Sequence, residues 1–351
     1  MAIDATNNAL SLEQITLLTK TYEPDILESA SLVNDDVFEK LRIKVYRNLE
    51  NANSVMIFNR HTGTARRYKP GNLPKSTIGY LSERELKVVL SVDRFYENIQ
   101  NFREKEPFQV PTLENAYEAE VTRYLLMQGA KSYAGNVRNC LFHGDVKKEG
   151  AYELYDGFNA HIAAGIEAGE ISAKNQNLVT LEAMDASTTT DQQAYEAYLE
   201  FTESWDEKLK AQEEVIVLVS NWLRSKIIRG YIKTYQGAVT LAEAHKDGYK
   251  FVDTPNVTLV SHPVFGKGDM MIAYVPYVLE FGSDVENPGH TNIAVDRSHE
   301  DFNILVFQVQ TAQGVRIRQI SSDMFCVSSG KNDPTISMGG EYQTAAEGEG
   351  E

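Results

Sequence analysis

A glycine-rich segment is the first place in this sequence where the residue types could hold a phosphate group. Gly266, Lys267, Gly268 and Asp269 follow one another, and a lysine beside glycines is typical of nucleotide-binding loops. The segment lacks the G-x-x-x-x-G-K-[ST] spacing, and a run typical of a strand follows it where such a loop requires a helix. We therefore interpret this segment as a β-turn.

Histidines are the second group of candidate ligands, because histidines at helical spacing, or beside cysteines, can hold zinc. The chain has seven histidines, and none pairs with a cysteine at zinc-binding spacing. His290 and His299 flank a polar loop that also contains Asp296, so this loop is the candidate metal or catalytic site that the sequence offers. Satisfied or solvated histidines are the default interpretation of this loop.

The motifs of common enzyme classes are absent from the sequence. It contains no G-x-S-x-G nucleophile elbow and no G-x-G-x-x-G after a strand, which hydrolase and dinucleotide-binding folds require. The dense carboxylates between Glu196 and Glu214 fit a solvated helix face better than a general acid–base pair. The sequence therefore predicts a protein that is not an enzyme and that needs no metal and no organic cofactor.

Charge is segregated along the chain. Between positions 41 and 75 the basic side chains face a single acidic residue, Glu50. These basic side chains are Arg42, Lys44, Arg47, Arg60, Arg66, Arg67, Lys69 and Lys75. Acidic residues dominate positions 1–40 and the segment Glu196–Glu214, and the whole chain has a formal net charge of −16. Separate blocks of opposite charge suit head-to-tail association between copies of one chain.

We predict that two charged groups lie at contacts between copies. The basic group is Arg60, Arg66, Arg67 and Lys69, and the acidic group is Glu196, Glu200 and Glu203. The acidic residues of positions 1–40 are a second available partner for the basic group. An ordinary solvated surface explains the same charges with equal weight. A nucleic-acid platform is disfavoured at Arg66 and Arg67, whose strand context lacks interleaved aromatic residues.

Cysteine usage and hydropathy indicate where the chain is made. Cys140 and Cys326 stand far apart in sequence, so we expect two small buried side chains in a reducing compartment. The longest strongly apolar run, Val215–Val219, is far shorter than the roughly 20 residues that cross a bilayer. The first residues lack the basic and apolar regions of a signal peptide. We expect synthesis in a cytoplasm.

The basic segment is predicted to form an extended β excursion. Residues 55–58 are typical of a strand, and residues 64–68 are predicted to return antiparallel. A further strand is predicted over residues 86–92, with apolar and polar side chains alternating. Its apolar side consists of Leu86, Val88, Leu90 and Val92. So few apolar residues cannot form a core, and we expect the excursion to pack on something else.

Helical patterns follow the excursion. Thr112 is predicted to cap a long helix from Leu113 to about Arg138, with a soft point at Gly129. An acidic amphipathic helix is predicted from Gln192 to Leu209.

The last part of the chain is predicted to be mixed. Val215–Val219 has the composition of a fully buried strand, and a helix from Trp222 to about Tyr235 follows it. Strands over residues 302–310 and 315–319 are predicted to form a hairpin around Ala312, Gln313 and Gly314.

The order of these elements resembles the major capsid protein of tailed bacteriophages, a fold shared with encapsulin shells. In particular, the chain looks like capsid proteins of the crAss-like phages that infect Bacteroidetes. The similar stretches are residues 149–158, the strand–serine–helix unit Val215–Tyr235, and Val257–Phe281 running into Asp301–Val327.

The resemblance implies an α+β capsid fold with an N-terminal arm, an extended β-hairpin loop, a long spine helix, and peripheral and axial domains. The implied boundaries are 1–40 for the arm, 41–110 for the extension loop and flanking strands, 111–150 for the spine helix and peripheral domain, 151–284 for the axial domain, 285–330 for the return to the peripheral domain, and 331–351 for a flexible tail.

The implied function is structural. Copies of the chain would form the pentamers and hexamers of an icosahedral phage head that encloses double-stranded DNA, so the protein would be found in the virion. The implied partners are other copies, a separate scaffold, a portal, decoration or auxiliary capsid proteins, and packaged DNA without sequence specificity, with no membrane. The alternatives are an encapsulin-type compartment or another self-assembling virion protein and, third, an enzyme with a site at His290, Asp296 and His299.

Overall fold

The computed structural model describes residues 35–49, 52–60, 79–98, 114–147, 152–235, 250–284, 292–297 and 304–332. Their helices are α1 (Asp36–Lys40), α2 (Glu114–His143), α3 (Phe158–Glu167), α4 (Asp191–Glu203), α5 (Glu207–Lys210) and α6 (Asn221–Thr234). Their strands are β1 (Lys44–Tyr46), β2 (Ala52–Arg60), β3 (Gly79–Lys87), β4 (Val89–Asn98), β5 (Leu178–Val179), β6 (Val215–Val219), β7 (Val257–Ser261), β8 (Ile272–Tyr274), β9 (Leu279–Ser283), β10 (Asn292–Arg297), β11 (Ile304–Ile317) and β12 (Phe325–Ser328). The fold is of the mixed α+β class.

The strands form two five-stranded sheets and one ribbon. The first sheet has the order β1-β9-β11-β10, and β4 also pairs with β11 outside this order. The second sheet has the order β5-β12-β8-β6-β7. Strands β2 and β3 pair only with each other among these elements, so they form a separate two-stranded ribbon.

Strand β11 is continuous, so the predicted hairpin around Ala312–Gly314 is wrong. Its first ten residues pair with β4, and residues from Gln313 to Ile317 pair with β9. A Cβ atom at Gly314 would lie 2.0 Å from the backbone oxygen of Lys87. The glycine is therefore needed for the close approach of another backbone and does not form a turn.

Helix α2 begins and ends close to the predicted helix and extends five residues beyond Arg138. It continues through Gly129, so the predicted soft point is wrong. The Phe95 ring on β4 occupies the space above this glycine, and a Cβ atom there would lie 1.8 Å from the ring. The absent side chain lets the first sheet pack directly against the helix.

Two hydrophobic cores lie on the two sides of the second sheet. Ile216 and Leu218 of β6 belong to the core that also contains the first sheet, α2 and α3. Val215, Val217 and Val219 belong to the core beneath α4 and α6. This confirms β6 as a fully buried strand, because both of its faces are covered. Cys140 and Cys326 are buried free thiols, as predicted.

The acidic helix is shorter than predicted. Helix α4 begins after Thr190, whose side chain and that of Gln193 form a capping box. It ends at Glu203, and Asp206 then caps the separate short helix α5. The predicted single helix to Leu209 is therefore wrong, because an aspartate competes for the backbone N–H groups at this point.

The chain changes sheets between β8 and β9. Tyr277 lies at the crossing with a φ of 66°, in the left-handed region. Its backbone N–H donates a hydrogen bond of 2.9 Å to the carbonyl oxygen of Arg42, which also has a positive φ, of 49°. This bond joins the crossing to the segment between α1 and β1.

Candidate assembly surfaces

The ribbon of β2 and β3 carries the start of the predicted basic contact. Its register runs from Ala52 opposite Lys87 to Arg60 opposite Gly79. Arg60 therefore lies at the far end of the ribbon, whereas Arg66, Arg67 and Lys69 lie outside the described residues. The strand expected at residues 55–58 is confirmed. Its partner is β3, and the expected return over residues 64–68 also lies outside the described residues.

A buried ion pair fastens the root of the ribbon to the first sheet. Arg316 on β11 and Glu280 on β9 are register partners, and the Nε of Arg316 lies 2.8 Å from Oε2 of Glu280. Another guanidinium nitrogen of Arg316 donates to the carbonyl oxygen of Arg84 on β3, at 2.9 Å. The side chain of Arg84 forms an ion pair with Glu170. The ribbon root is thus held to two different parts of the fold.

The predicted acidic group occupies one exposed face of α4. Glu196, Glu200 and Glu203 follow one another at helical spacing, and all three are exposed. The opposite face of the helix, including Tyr198 and Phe201, is buried in the second core. The structure therefore brings these three carboxylates together, and their role in contacts between copies stays a prediction.

Strand β4 presents an apolar surface that the sequence pattern assigned to the wrong side. Leu86 is buried as expected, but Leu90, Val92 and Tyr96 are 50%, 46% and 62% exposed. The ladder is interrupted at Val88, between β3 and β4, so the alternation does not continue from one strand to the other. The alternation of apolar and polar residues would have predicted this exposed surface only if β4 had been treated as a strand separate from β3, after the interruption at Val88.

A buried hydrogen-bond network determines which side of β4 faces inward. The Ser91 hydroxyl lies 2.5 Å from the Tyr133 hydroxyl of α2, which lies 2.7 Å from the Thr311 hydroxyl of β11. Burial is the main cause that raises the pKa of Tyr133. Because Ser91 faces α2, the even-numbered residues of β4 face away from it.

A cleft of about 550 Å³ runs beside β7. Charged residues of both signs line it, including Asp36, Lys40, Glu214 and Lys250. The hydrogen bond from Lys40, whose ammonium group is 2.9 Å away, lowers the pKa of the Asp36 carboxyl. Asp36 and Lys40 are four residues apart on α1 and both are exposed, so they form an ordinary surface ion pair.

Across the described ranges, no group of three or more His, Cys, Asp or Glu side chains is placed to hold a metal ion. Of the candidate loop, Asp296 is an exposed residue of β10, and His290 and His299 lie outside the described residues. None of the helices in the described part has the length and hydrophobicity needed to cross a membrane.

Solved capsids share this arrangement of helices and sheets. The cyanophage A-1(L) capsid is similar with a TM-score of 0.54 and 14% identity, covering 93% of this chain and 95% of that chain. The capsid of Myoviridae phage XM1 is similar with a TM-score of 0.52 and 12% identity, covering 83% and 90%. The capsid of a native GTA particle is similar with a TM-score of 0.50 and 9% identity, covering 93% of each chain.

These likenesses show the fold of the chain, which is the capsid fold found in tailed phages. No family model matches the sequence, and no curated protein does. At identities of 9–14% the likeness lies in the course of the backbone and not in particular side chains.

Proposed function

We propose that this chain is a structural major capsid protein, whose copies assemble into pentamers and hexamers of an icosahedral phage head. The observation that carries the proposal is the capsid fold, which extends over 93% of the chain. The shell would enclose double-stranded DNA, and the protein would reside in the virion after synthesis in the host cytoplasm. Shell building needs large complementary surfaces and not a catalytic pocket.

The finer assignments follow from the same proposal. The ribbon of β2 and β3 is the extension loop, and α2 is the spine helix. The second sheet with α4 and α6 belongs to the axial domain, which takes most of its residues from 151–284 and also includes β12. The first sheet belongs to the peripheral domain, which includes β9 and to which most of residues 285–330 return. The particular resemblance to crAss-like phages is also part of this proposal.

An isolated ribbon supports assembly through contacts between copies. Two-stranded hairpins are at best marginally stable in water, so β2 and β3 need a surface to pack on. The exposed apolar side of β4 is a surface of the same chain that needs covering. Among the described residues the ribbon packs on its own copy only at its root, around Arg84 and Leu86, and the apolar side of β4 is exposed. Overlapping copies would cover the rest of the ribbon and this side of β4.

Charge provides the second support. The basic group at Arg60, Arg66, Arg67 and Lys69 would meet acidic surface on a neighbouring copy, either Glu196, Glu200 and Glu203 or the acidic residues of positions 1–40. Opposite charges at a contact guide orientation more than they add affinity. A separate scaffold, a portal and decoration proteins complete the proposed set of protein partners.

Electron microscopy and light scattering of the purified chain test the proposal. We expect closed shells, or rings of five or six subunits, from the chain alone or with its phage neighbours. DNA within purified particles would distinguish a phage head from a compartment of the encapsulin type. A stable monomer or dimer under all of these conditions would contradict the proposal.

A variant with a short turn between β2 and β3 tests whether residues 61–78 are needed for assembly. Because Arg60 and Gly79 are register partners, an Asn-Gly turn can join them in place of residues 61–78. We expect this variant to fold with the circular dichroism spectrum and melting temperature of the parent and to form no shells. Normal shells from it would contradict a role of residues 61–78 in assembly while leaving the capsid proposal intact.

A further inference from the structure

A compact patch of basic and aromatic side chains lies where β1, β9 and the end of β11 meet. Lys44 and Tyr46 of β1 stand on the same side of their strand, and the ammonium group of Lys44 lies 4.8 Å from the centre of the Tyr46 ring. The Tyr46 hydroxyl donates to Oε1 of Glu280 at 3.1 Å. The Nε atom of Arg318 lies 4.0 Å from the same oxygen.

The strained crossing between the sheets extends this patch. The backbone of Arg318 donates to the carbonyl oxygen of Val278 at 2.8 Å, next to Tyr277. The backbone of Tyr277 is in turn bonded to that of Arg42. Tyr277 and Arg318 are 51% and 46% exposed, and Arg42 is also exposed. We call Lys44, Tyr46 and Arg318, together with Tyr277 and Arg42, whose backbones are bonded at the crossing beside them, the basic–aromatic patch.

The backbone conformation at this patch is unfavourable for its residue types. The left-handed region is unfavourable for a residue other than glycine, because its Cβ atom comes too close to a backbone carbonyl oxygen. Tyr277 and Arg42 both adopt it, and their backbones hold each other there. A glycine or asparagine would adopt this left-handed backbone conformation more easily. Strained positions that present exposed side chains are candidates for function.

The carboxylate beneath the patch offsets only part of its positive charge. Glu280 is fully buried, and the fully buried Arg316 accounts for its charge. Arg42 has Glu39 and Glu214 as neighbours on the cleft side, so Lys44 and Arg318 are the main sources of positive charge in the patch. A positive surface of this kind stands out on a chain whose net charge is −16.

We propose that the basic–aromatic patch binds the phosphate backbone of double-stranded DNA without sequence specificity. Arg and Lys provide charge for phosphates, and tyrosine hydroxyl groups also donate hydrogen bonds to phosphate oxygens. The rigid sheet beneath these side chains presents them without a large loss of conformational freedom on binding. The inference rests on the proposed function, because a phage head brings its inner surface against packaged DNA.

The salt dependence of DNA binding by the full-length chain is the test. Fluorescence anisotropy with a labelled 30-base-pair duplex gives the slope of log K against log salt, which changes by about 0.9 for each phosphate contact. We expect Arg42→Gln, Lys44→Gln and Arg318→Gln together to reduce this slope by about 2–3 and to weaken binding at least tenfold. The substitutions remove charge and keep much of the side-chain length.

A matched control separates the patch from the general effect of charge. Lys147, Lys174 and Lys208 are exposed lysines elsewhere on the chain, and replacing all three by Gln changes the net charge by the same amount. We expect the control variant to keep the parent slope. An equal loss in both variants, or no loss in the patch variant, would overturn the proposal.

Tyr277→Gly separates binding from a structural role. Glycine adopts the same backbone conformation without strain, so the variant should fold with at least the stability of the parent. If the tyrosine contacts DNA, affinity falls several-fold although stability does not. If the variant binds DNA as tightly as the parent, Tyr277 is not part of the site. That result would also contradict the idea that the strained backbone serves to present its side chain to DNA.

Particle formation distinguishes the failure of this inference from the failure of the proposed function. Each variant is examined by electron microscopy as well as by anisotropy. Closed shells combined with unchanged DNA binding would refute the patch and keep the capsid proposal. Loss of shells with unchanged DNA binding would identify the patch as a contact with acidic surface of a second copy, and would also refute its role in binding DNA.

Discussion

Arg316 and Glu280 face each other on neighbouring strands of the first sheet with both side chains buried. The same guanidinium also donates to the carbonyl oxygen of Arg84, which belongs to the ribbon strand β3. One arginine therefore neutralises a buried carboxylate and holds the ribbon root. Because a buried charge without a partner is costly, loss of Arg316 would leave Glu280 unpaired and would also remove one of the bonds that hold the ribbon root.

We predict that Arg316→Met destabilises the chain by about 3–5 kcal/mol, because it leaves the charge of Glu280 buried without its main partner. Urea unfolding followed by circular dichroism measures this change. A variant as stable as the parent at pH 7 would show that the pair does not support the fold.

The double variant Arg316→Met with Glu280→Leu is the control. Removing both side chains leaves no buried charge without a partner, so the stability of the double variant should be closer to that of the parent. If the ribbon root depends on the bond from Arg316 to Arg84, the double variant should still show faster proteolysis of the ribbon. Parent-like proteolysis would assign Arg316 to the sheet alone.

Gly129 and Phe95 provide a second test, in which helix propensity and packing act in opposite directions. Alanine is favoured over glycine in a helix by about 1 kcal/mol, but its Cβ atom would overlap the Phe95 ring. Crowding in a packed core costs about 1–3 kcal/mol. We therefore expect Gly129→Ala to lower the melting temperature in the parent.

The expected effect changes sign when the ring is removed. In a Phe95→Leu background, Gly129→Ala should become neutral or stabilising, because the helix gains and the overlap is relieved. Thermal unfolding of the four chains gives the coupling between the two positions. An increase in melting temperature from Gly129→Ala in the parent background would contradict the close packing of β4 on α2.

The strongest periodic patterns predicted their elements well, because local sequence determines them. Helix α2, strand β6 and helix α6 were expected within a few residues of their observed bounds. The exposed face of α4 was also predictable, since Glu196, Glu200 and Glu203 share one side of a helix.

The errors share a different cause, which is contact between distant segments. Gly314 was interpreted as a turn, but the backbone of Lys87 lies against it. Leu90 and Val92 were grouped with Leu86, but the interruption between the two strands separates them. The spacing of apolar and polar residues along the sequence predicts neither the approach of Lys87 nor the pairing of β4 with β11, because both depend on the tertiary fold. The basic–aromatic patch was missed for the same reason, since its residues on β1, at the sheet crossing and after β11 are distant in sequence.

His262 makes stability depend on pH. Burial is the main cause that lowers its pKa to about 4 from an ordinary value of 6.5. Asp36 favours its protonation, and Lys40 and Arg138 oppose it. Between pH 6.5 and 4 the unfolded chain binds a proton at this residue that the folded chain does not. The stabilisation is therefore complete above pH 6.5 and is lost as the pH falls toward 4.

His262→Asn tests this dependence. Asparagine does not titrate, and its side-chain oxygen can still accept the hydrogen bond that Val264 donates to Nδ1 of His262 at 3.2 Å. The free energy of unfolding of the parent should fall by on the order of 1–2 kcal/mol more than that of the variant between about pH 7 and pH 5. Parallel pH profiles for the two chains would rule out a role for His262.

Charge reversal at the basic group tests how copies recognise each other. We expect Arg66→Glu with Arg67→Glu to reduce shell formation at least tenfold and to leave the melting temperature of the unassembled chain unchanged. Light scattering and electron microscopy measure assembly, and circular dichroism measures folding. Normal shells from this variant would refute docking by charge.

A compensating reversal identifies the partner surface. If Glu196, Glu200 and Glu203 receive the basic group, then replacing all three by lysine should restore assembly of the chain that carries Arg66→Glu and Arg67→Glu, because attraction returns with the opposite sign. Since the three carboxylates are exposed, the reversal should not disturb the core beneath α4. If both variants fold and the lysine substitutions do not restore shells, the α4 face is not the partner of the basic group. The remaining predicted partner is then the set of acidic residues of positions 1–40.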